Sequence, residues 1–339
     1  GGLALFIFGM NIMSDGLREA AGQKLRSLLS VMTTRKLTGL ALGTLIATLV
    51  HSSATTVMVV GFINAGLMTL AQSIPVILGA NIGTTLSMQA ISFKLGDYAL
   101  FAVTFGFIMS MVAKNPKAKK IGLSIMGFGL LFLGMNLMSD AIKPYRDLLR
   151  PIMAGISGET TRGLVLGILM AVLLTSIIQS SGATIGMAFA LVQAGVLTSV
   201  EQTMPIILGA HIGTCATALL GSIGTSMNAK RSAYAHLIFN VLNVTAASLL
   251  KGPLVALLVW MSPDNVLRQS ANLHTVVMVI AAFAMLPFST LYAKLIHRLF
   301  RSRKPEPEPS YLDDKLLEFP EQAICASIHE LQRVAKICA

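Results

Sequence analysis

Apolar residues in this chain come in long uncharged stretches, not at the spacing of a half-buried helix or strand. No Asp, Glu, Lys or Arg occurs from Leu37 to Phe93 or from Gly163 to Val200. Shorter uncharged runs follow at Gln202–Ala229, Ser232–Leu250 and Gln269–Ala293. About 20 apolar residues cross a bilayer as a helix, so the longest runs hold more than one crossing. The pattern predicts an all-α polytopic membrane protein. In the first part it predicts a span ending near Met13 and two more at Ser73–Ser92 and Tyr98–Ala113. Between them, Leu37–Thr69 is interrupted at its centre by His51-Ser52-Ser53-Ala54-Thr55-Thr56. That is too polar at mid-depth for one plain helix, and it predicts a re-entrant helical hairpin. The apolar part of Lys251–Asn272 is too short to span.

Composition sharpens the class. Charged residues make up 12% of the chain, against about 25% in soluble proteins, which excludes a water-soluble enzyme of this length. There is no P-loop, no His-Glu-x-x-His and no acid pair in a polar cleft, so no enzyme is expected. The net charge of +11 sits between the apolar runs and forms no basic stripe interleaved with aromatics. This argues against nucleic acid and for basic loops beside a lipid bilayer. Lys114, Lys117, Lys119 and Lys120, Lys230-Arg231, and the five bases from Lys294 to Lys304 are placed on the cytoplasmic side, and the C-terminus with them. Three cysteines make no disulfide framework. The chain opens inside an apolar stretch without a signal-peptide pattern, which predicts a start within a helix.

The chain repeats itself. Gly9-Met10-Asn11-Ile12-Met13-Ser14-Asp15 recurs as Gly134-Met135-Asn136-Leu137-Met138-Ser139-Asp140, and Pro75 to Thr84 recurs as Pro205 to Thr214. Such duplication marks transporter folds built from internal repeats. Three spans and one hairpin return the chain to the opposite side, which makes the second half inverted. The expected division is a first transmembrane repeat at 1–120, a second at 121–300, a Pro/Glu linker at 301–310 and a cytoplasmic amphipathic helix at 311–339.

Polar residues recur in the middle of the apolar runs. The sites are 51–56, the matching Gln179-Ser180-Ser181-Gly182-Ala183-Thr184, and the glycine-containing segments 79–85 and 209–215. Irregular chain at that depth is tolerated only where protein buries it or it lines a wet cavity. Glycine permits unwinding of a span and close approach to a ligand, and a hairpin tip exposes a helix N-terminus suited to an anion. With no Lys or Arg in these runs, hydroxyls, amides and dipoles would hold the anion, and bound sodium ions would offset its charge. Small and hydroxyl residues also serve simple helix packing, but two matched tips in a duplicated chain favour the ligand site.

The paired Gln-Ser-Ser-type tips, each followed by Ala-Thr and a Gly-Ala-Asn-Ile-Gly-Thr segment, resemble the sodium/phosphate cotransporter family over most of residues 1–300. The resemblance implies inverted repeats, two re-entrant hairpins, an unwound span in each half, and phosphate held where the tips meet. It assigns phosphate to Ser52, Ser53, Thr55, Ser180, Ser181, Thr184 and Asn81. It assigns coupling sodium ions, with no other cofactor, to Gln179, Ser180, Thr84, Thr85, Thr214 and Thr217. Two family positions differ. His51 stands near the first Gln position with one serine missing, so that it aligns with either Gln179 or Ser180. His211 replaces Asn in the second glycine segment. Both histidines are candidates for a proton or a hydrogen-bond role. His236, His274, His297 and His329 show no ligand spacing and are expected to be structural or at the surface. Asp97, Glu201 and Asp264 are expected at span ends, and Asp15 and Asp140 as parts of Ser-Asp helix caps. Tyr311-Leu312-Asp313-Asp314, leading into an amphipathic helix, resembles the junction to the PhoU-like regulatory domain of bacterial members.

The reading is a sodium-coupled phosphate importer of a bacterial inner membrane. A phosphate or other oxyanion exporter without sodium, or a non-transporting scaffold for phosphate signalling, remains open. If His51 carries a coupling proton, His51→Gln changes the pH profile of transport. A profile unchanged between roughly pH 6 and 8 removes that role.

Overall fold

The computed structural model describes residues 1–21, 35–93, 95–301 and 320–338. Most of the expected linker at 301–310, and 311–319 of the expected tail, lie outside them. The described residues form helices and short connections, with no strand among them. Two compact units are present, Gly1–His297 and Arg298–Ala339. The second contains the helix Pro320–Cys338, with Ile324, Ile328, Leu331 and Val334 exposed.

Six helices in the described residues are long and apolar enough to cross a membrane, or seven if one bent pair counts as a single span. The surface is that of a protein dissolved in lipid. Phe101, Ile177, Leu249 and Trp260 are more than two-thirds exposed, while Asn81, Thr85, Thr203, Asn240 and Ser270 are buried. The polar groups that hydrocarbon would penalise are turned inward.

The opening helix α1 (Gly2–Ala21) lies antiparallel along α6 (Pro116–Ile142). Gly9 faces Gly127 and Leu131, and Gly16 faces Lys120 and Ser124, so the two backbones touch. Membrane helices approach this closely where small residues line the seam. Glu19 of α1 and Lys120 of α6 form an ion pair at one end, and the lysine holds the Glu19 carboxyl below the ordinary carboxylate range. α5 (Ala99–Val112), reached through a turn of 3-10 helix at Leu95–Tyr98, packs along α6 as well. The repeated Gly-Met-Asn segments thus lie on two helices that face each other.

A second arrangement occurs twice. α2 (Lys36–Val50), α3 (Ser52–Asn64) and α4 (Leu70–Ile91) form the first copy. Gly39 lies against Pro75, Gly79 against Leu40 and Thr44, and Gly83 against Thr44 and Thr48. The contacts climb both helices together, so α2 and α4 run parallel, and α3 must run back between the end of one and the start of the other. The second copy is α8 (Thr161–Ile178), α9 (Ser181–Gln193) and α10 (Val200–Gly213). There Gly167 lies against Pro205, Gly209 against Ile168 and Val172, and Gly213 against Val172 and Thr175. The glycines of the repeated Pro-to-Thr segment are thus the floor on which the first arm of each helical pair sits.

That packing corrects the expected unwound spans. α4 continues as helix through Gly79–Thr85. α10 passes to α11 (Cys215–Gly221) through Thr214 alone, which keeps helical backbone angles and its bond to the Ala210 carbonyl. A side-chain hydrogen at these glycines admits a neighbouring backbone, and no unwinding is needed to use it. Ser14-Asp15 and Ser139-Asp140 lie inside α1 and α6 and cap neither. Asp15 pairs with Arg18 at 2.8 Å and Asp140 with Lys143 at 2.7 Å, one turn along in each helix.

A short 3-10 turn and α7 (Arg146–Ala154) link α6 to α8. After α11 come α12 (Met227–Leu249) and α13 (Lys251–Met261), which meet at an 82° bend. At 11 residues α13 is short for a crossing, as the length of the apolar stretch implies. α14 (Val266–Met285) packs against both α4 and α10, and α15 (Ser289–Leu299) follows it.

Leucine at Gly79 or Gly209 drives a side chain into the facing carbonyl of Leu40 or Ile168. Each substitution should destabilise the fold by about 1–3 kcal/mol or more, seen as a lowered melting temperature in detergent. Gly61→Leu, with open space around it, should leave that temperature nearly unchanged.

Candidate functional site

The two helical pairs turn at the polar segments singled out from the sequence. In the second, Gln179 ends α8 in the left-handed conformation (φ 57°, ψ 26°) and Ser180 begins α9. The labour is divided. The Gln179 N–H donates to the Thr175 carbonyl and the Ser180 carbonyl accepts from Thr184 N–H. The Ser180 hydroxyl accepts from Ala183 N–H, an ordinary N-cap bond.

In the first turn one residue does both jobs. The His51 N–H donates to the Ala47 carbonyl, and its own carbonyl accepts from Thr55 N–H. His51 therefore answers to Gln179 at the end of one helix and to Ser180 at the start of the next. This is the physical form of the missing serine. The fusion places a non-glycine residue at φ 67° and ψ 152°, a region used almost only by glycine and costing about 1–3 kcal/mol. Its side chain does not cap α3. The imidazole Nε2 is hydrogen-bonded instead to the Ser14 hydroxyl of α1, and the ring also reaches the Met10 backbone.

The same stretch of α1 meets the second turn. A methyl group on Gly182 would lie 2.9 Å from the Met10 sulfur and 3.6 Å from the Met88 methyl of α4. Both turns therefore lie against Met10–Ser14, inside the repeated Gly-Met-Asn segment.

The expected site residues fall into three groups. Ser52, Thr55, Ser181 and Thr184 are buried in the first turns of α3 and α9, with Ser53 and Ser180 half-buried and Gln179 exposed. Thr184 accepts a hydrogen bond from Thr175 of α8 at 2.9 Å, which ties the second turn to its first arm. Thr84, Thr85, Thr214 and Thr217 donate their hydroxyls to carbonyls of their own helices, at Ala80, Ile82, Ala210 and Thr214. A hydroxyl whose proton is spent in this way keeps its lone pairs for a cation.

Asn81 and His211 belong to a buried polar belt that joins the halves. Asn81 Oδ1 lies 3.0 Å from His236 Nε2 of α12. Asn240, one turn on, donates to the His236 carbonyl and to the Cys215 sulfur. Cys215 donates to the His211 carbonyl, and the His211 ring stacks on His274 of α14 with centroids 4.8 Å apart. Several atoms of this belt have no protein partner, namely Asn81 Nδ2, Asn240 Oδ1, the Nδ1 atoms of His236 and His274, and both ring nitrogens of His211. Each such buried group costs about 1–3 kcal/mol, and polar groups at this depth are functional by default. A second polar contact between the halves is made by Gln89, which donates to Asn272 and Thr275 of α14.

His236 and His274, expected to be structural or superficial, are buried members of the belt, while His297 and His329 are exposed. Ser14 was missed as well. Its membership of the repeated segment was the available signal, and for α12 the signal was His236, Asn240 and Asn243 at helical spacing in an uncharged run. Asp97 and Asp264 lie exposed in the connections before α5 and α14, and Glu201 is in the first turn of α10.

A family model described as Na+/Pi-cotransporter matches residues 5–140 and 145–294. The chain belongs to the Na+/Pi-cotransporter family. This is a family of phosphate transporters with several membrane-crossing helices. YqeW of Bacillus subtilis (strain 168) is 28% identical over 304 residues, which are 89% of this chain and 97% of that protein. YjbB of Salmonella typhimurium, whose name assigns it provisionally to inorganic phosphate export, is 27% identical over 353 residues. That match takes in 98% of this chain and 61% of YjbB, so the chain spans about three-fifths of that relative. Sodium-dependent phosphate transport protein 2B of Homo sapiens is 32% identical over 109 residues, 31% of this chain and 16% of that protein. No solved structure matches the chain.

The bond between Thr175 and Thr184 offers a direct test of the second turn in this Na+/Pi-cotransporter homologue. Thr175→Val should destabilise the protein by about 0.5–1.5 kcal/mol, read as a lowered melting temperature in detergent. Thr175→Ser should restore it.

Proposed function

We propose that this protein is a secondary transporter that carries inorganic phosphate across a bacterial inner membrane by alternating access, coupled to sodium. The observation that carries the reading is the attachment of both helical turns to one stretch of α1, through His51 with Ser14 and Gly182 with Met10. Two helix N-termini are thereby held to a common wall, and helix N-termini favour anions.

In this reading phosphate accepts hydrogen bonds from the first-turn amides of α3 and α9 and from the hydroxyls of Ser52, Ser53, Thr55, Ser180, Ser181 and Thr184, with Asn81 at the edge. Sodium takes oxygen ligands from Gln179 and Ser180 and from Thr84, Thr85, Thr214 and Thr217. Its charge offsets that of phosphate in a region without Lys or Arg. The halves, 1–120 and 121–300, are inverted repeats, and α2–α3 and α8–α9 are re-entrant hairpins in the bilayer. Movement of the hairpins about the α1–α6 seam opens the site to one face and then the other. The C-terminal residues lie in the cytoplasm, where 311–339 would begin a PhoU-like regulatory region.

A second reading, phosphate export, is favoured by the name of YjbB, which aligns along 98% of the chain, whereas 2B aligns along 31%. Uptake of radiolabelled phosphate into proteoliposomes, with and without an inward sodium gradient, tests both. The sodium-coupled reading expects stimulation by sodium that is lost in Ser181→Ala and Gln179→Ala. Flux indifferent to sodium leaves the export reading, and no flux under any gradient ends both.

A further inference from the structure

The belt pairs its histidines in a regular way. The equivalent positions of the two glycine helices are Asn81 on α4 and His211 on α10, and each meets a histidine from a later helix. Asn81 is hydrogen-bonded to His236 of α12 at 3.0 Å. His211 is stacked on His274 of α14, with 29° between the ring planes. In the first case an amide oxygen satisfies an imidazole nitrogen. In the second, two imidazoles lie face to face, and neither His211 nitrogen nor His274 Nδ1 has a protein partner. Both residues are at least nine-tenths buried.

We propose that His211 and His274 form a binding site for one proton, which moves with phosphate in the transport cycle. The inference rests on the phosphate-transport reading and adds a second coupling ion to it. Two stacked rings this close repel a second positive charge, which limits the pair to one. The proton arrives from water on the side where phosphate enters, resides on an imidazole nitrogen, and leaves to water on the other side.

The surroundings supply no competing charge of fixed sign within the belt. α4 carries no charged residue, and neither does α9. α8 has Arg162 in its first turn, and α10 has Glu201 in its first turn. α11 contributes the Cys215 thiol, and α12 contributes His236, Tyr234, Lys230 and Arg231, whose guanidinium donates to Asn228. On α14 Arg268 donates to Ser92, and on α13 Lys251 donates to the Gly158 and Glu159 carbonyls. The pair is linked to the phosphate end of the molecule through α10 itself. Gly213, two residues beyond His211, abuts Thr175, which donates to Thr184 in the second turn.

Two measurements on the full chain decide the matter. The first is 15N-histidine NMR in lipid nanodiscs, titrated with and without inorganic phosphate. A single protonation on one of the two histidines, strengthened by phosphate and absent in both His211→Asn and His274→Gln, is expected. Absence of any titrating pair overturns the proposal. The second uses proteoliposomes with a trapped pH dye and no sodium gradient. Phosphate flux driven by a pH gradient, with accompanying proton movement, is expected to fall to the background of empty vesicles in His211→Asn and to recover in the double variant His211→Asn with His274→Asn only if the proton is dispensable. Such recovery, or flux in His211→Asn with an unchanged pH response, overturns it. Comparison with the parent protein cancels the titration of phosphate itself. If no phosphate moves under any gradient, the transport reading fails and the coupling proposed here fails with it, while the NMR titration separately decides whether the proton site exists.

Discussion

Backbone against backbone at glycine is the contact on which the rest of this molecule depends. At Gly79 and Gly209 the first arm of each helical pair lies so close that even a methyl group would strike a carbonyl. In hydrocarbon there is no hydrophobic force to press helices together, so association comes from dispersion at close range and from polar contacts between helices. The glycines supply the first of these. They set the direction of α2 and α8, and with it the direction in which the chain must return through α3 and α9. The polar turns then lie where they do because the arms beneath them are fixed.

The polar contacts are added to that frame and are concentrated between the halves. Asn81 with His236 and Gln89 with Asn272 join the halves, and Thr203 with Ser270 at 2.8 Å joins α10 to α14 within the second half. α14 takes part in two of them and touches both α4 and α10. It holds the glycine helices of the two halves in one body. A membrane protein with apolar residues on its outside and amides, imidazoles and hydroxyls on its inside is stiffest where those groups satisfy one another. The stacked histidines are where those groups leave one another unsatisfied.

Much of this was legible in the residues alone. Uncharged runs longer than one crossing gave the membrane class, and the duplicated segments marked the glycine helices and two stretches of α1 and α6 that the structure brings face to face. The polar turns were found because Ser and Thr are conspicuous inside apolar stretches. Two things were not readable. The glycines at 79–85 were expected to unwind the helix, since glycine permits either a break or a close approach and only the neighbour decides between them. The belt was hidden because single histidines and asparagines on α12 and α14 acquire meaning from partners on other helices, as His236 does from Asn81.

The single residue that stands for two at His51 has a consequence for the symmetry of the molecule. Removing one residue inside a helix would turn every following side chain by about 100° and shift it by about 1.5 Å along the axis. Here the loss falls in the turn, so Ser52 and Thr55 keep the buried places in α3 that Ser181 and Thr184 hold in α9, and the difference is confined to the backbone at His51. Each turn holds a non-glycine residue at positive φ, but the second stays left-handed at Gln179 while the first is pushed into a region almost reserved for glycine at His51, so two segments alike in sequence differ in what their backbones cost to hold.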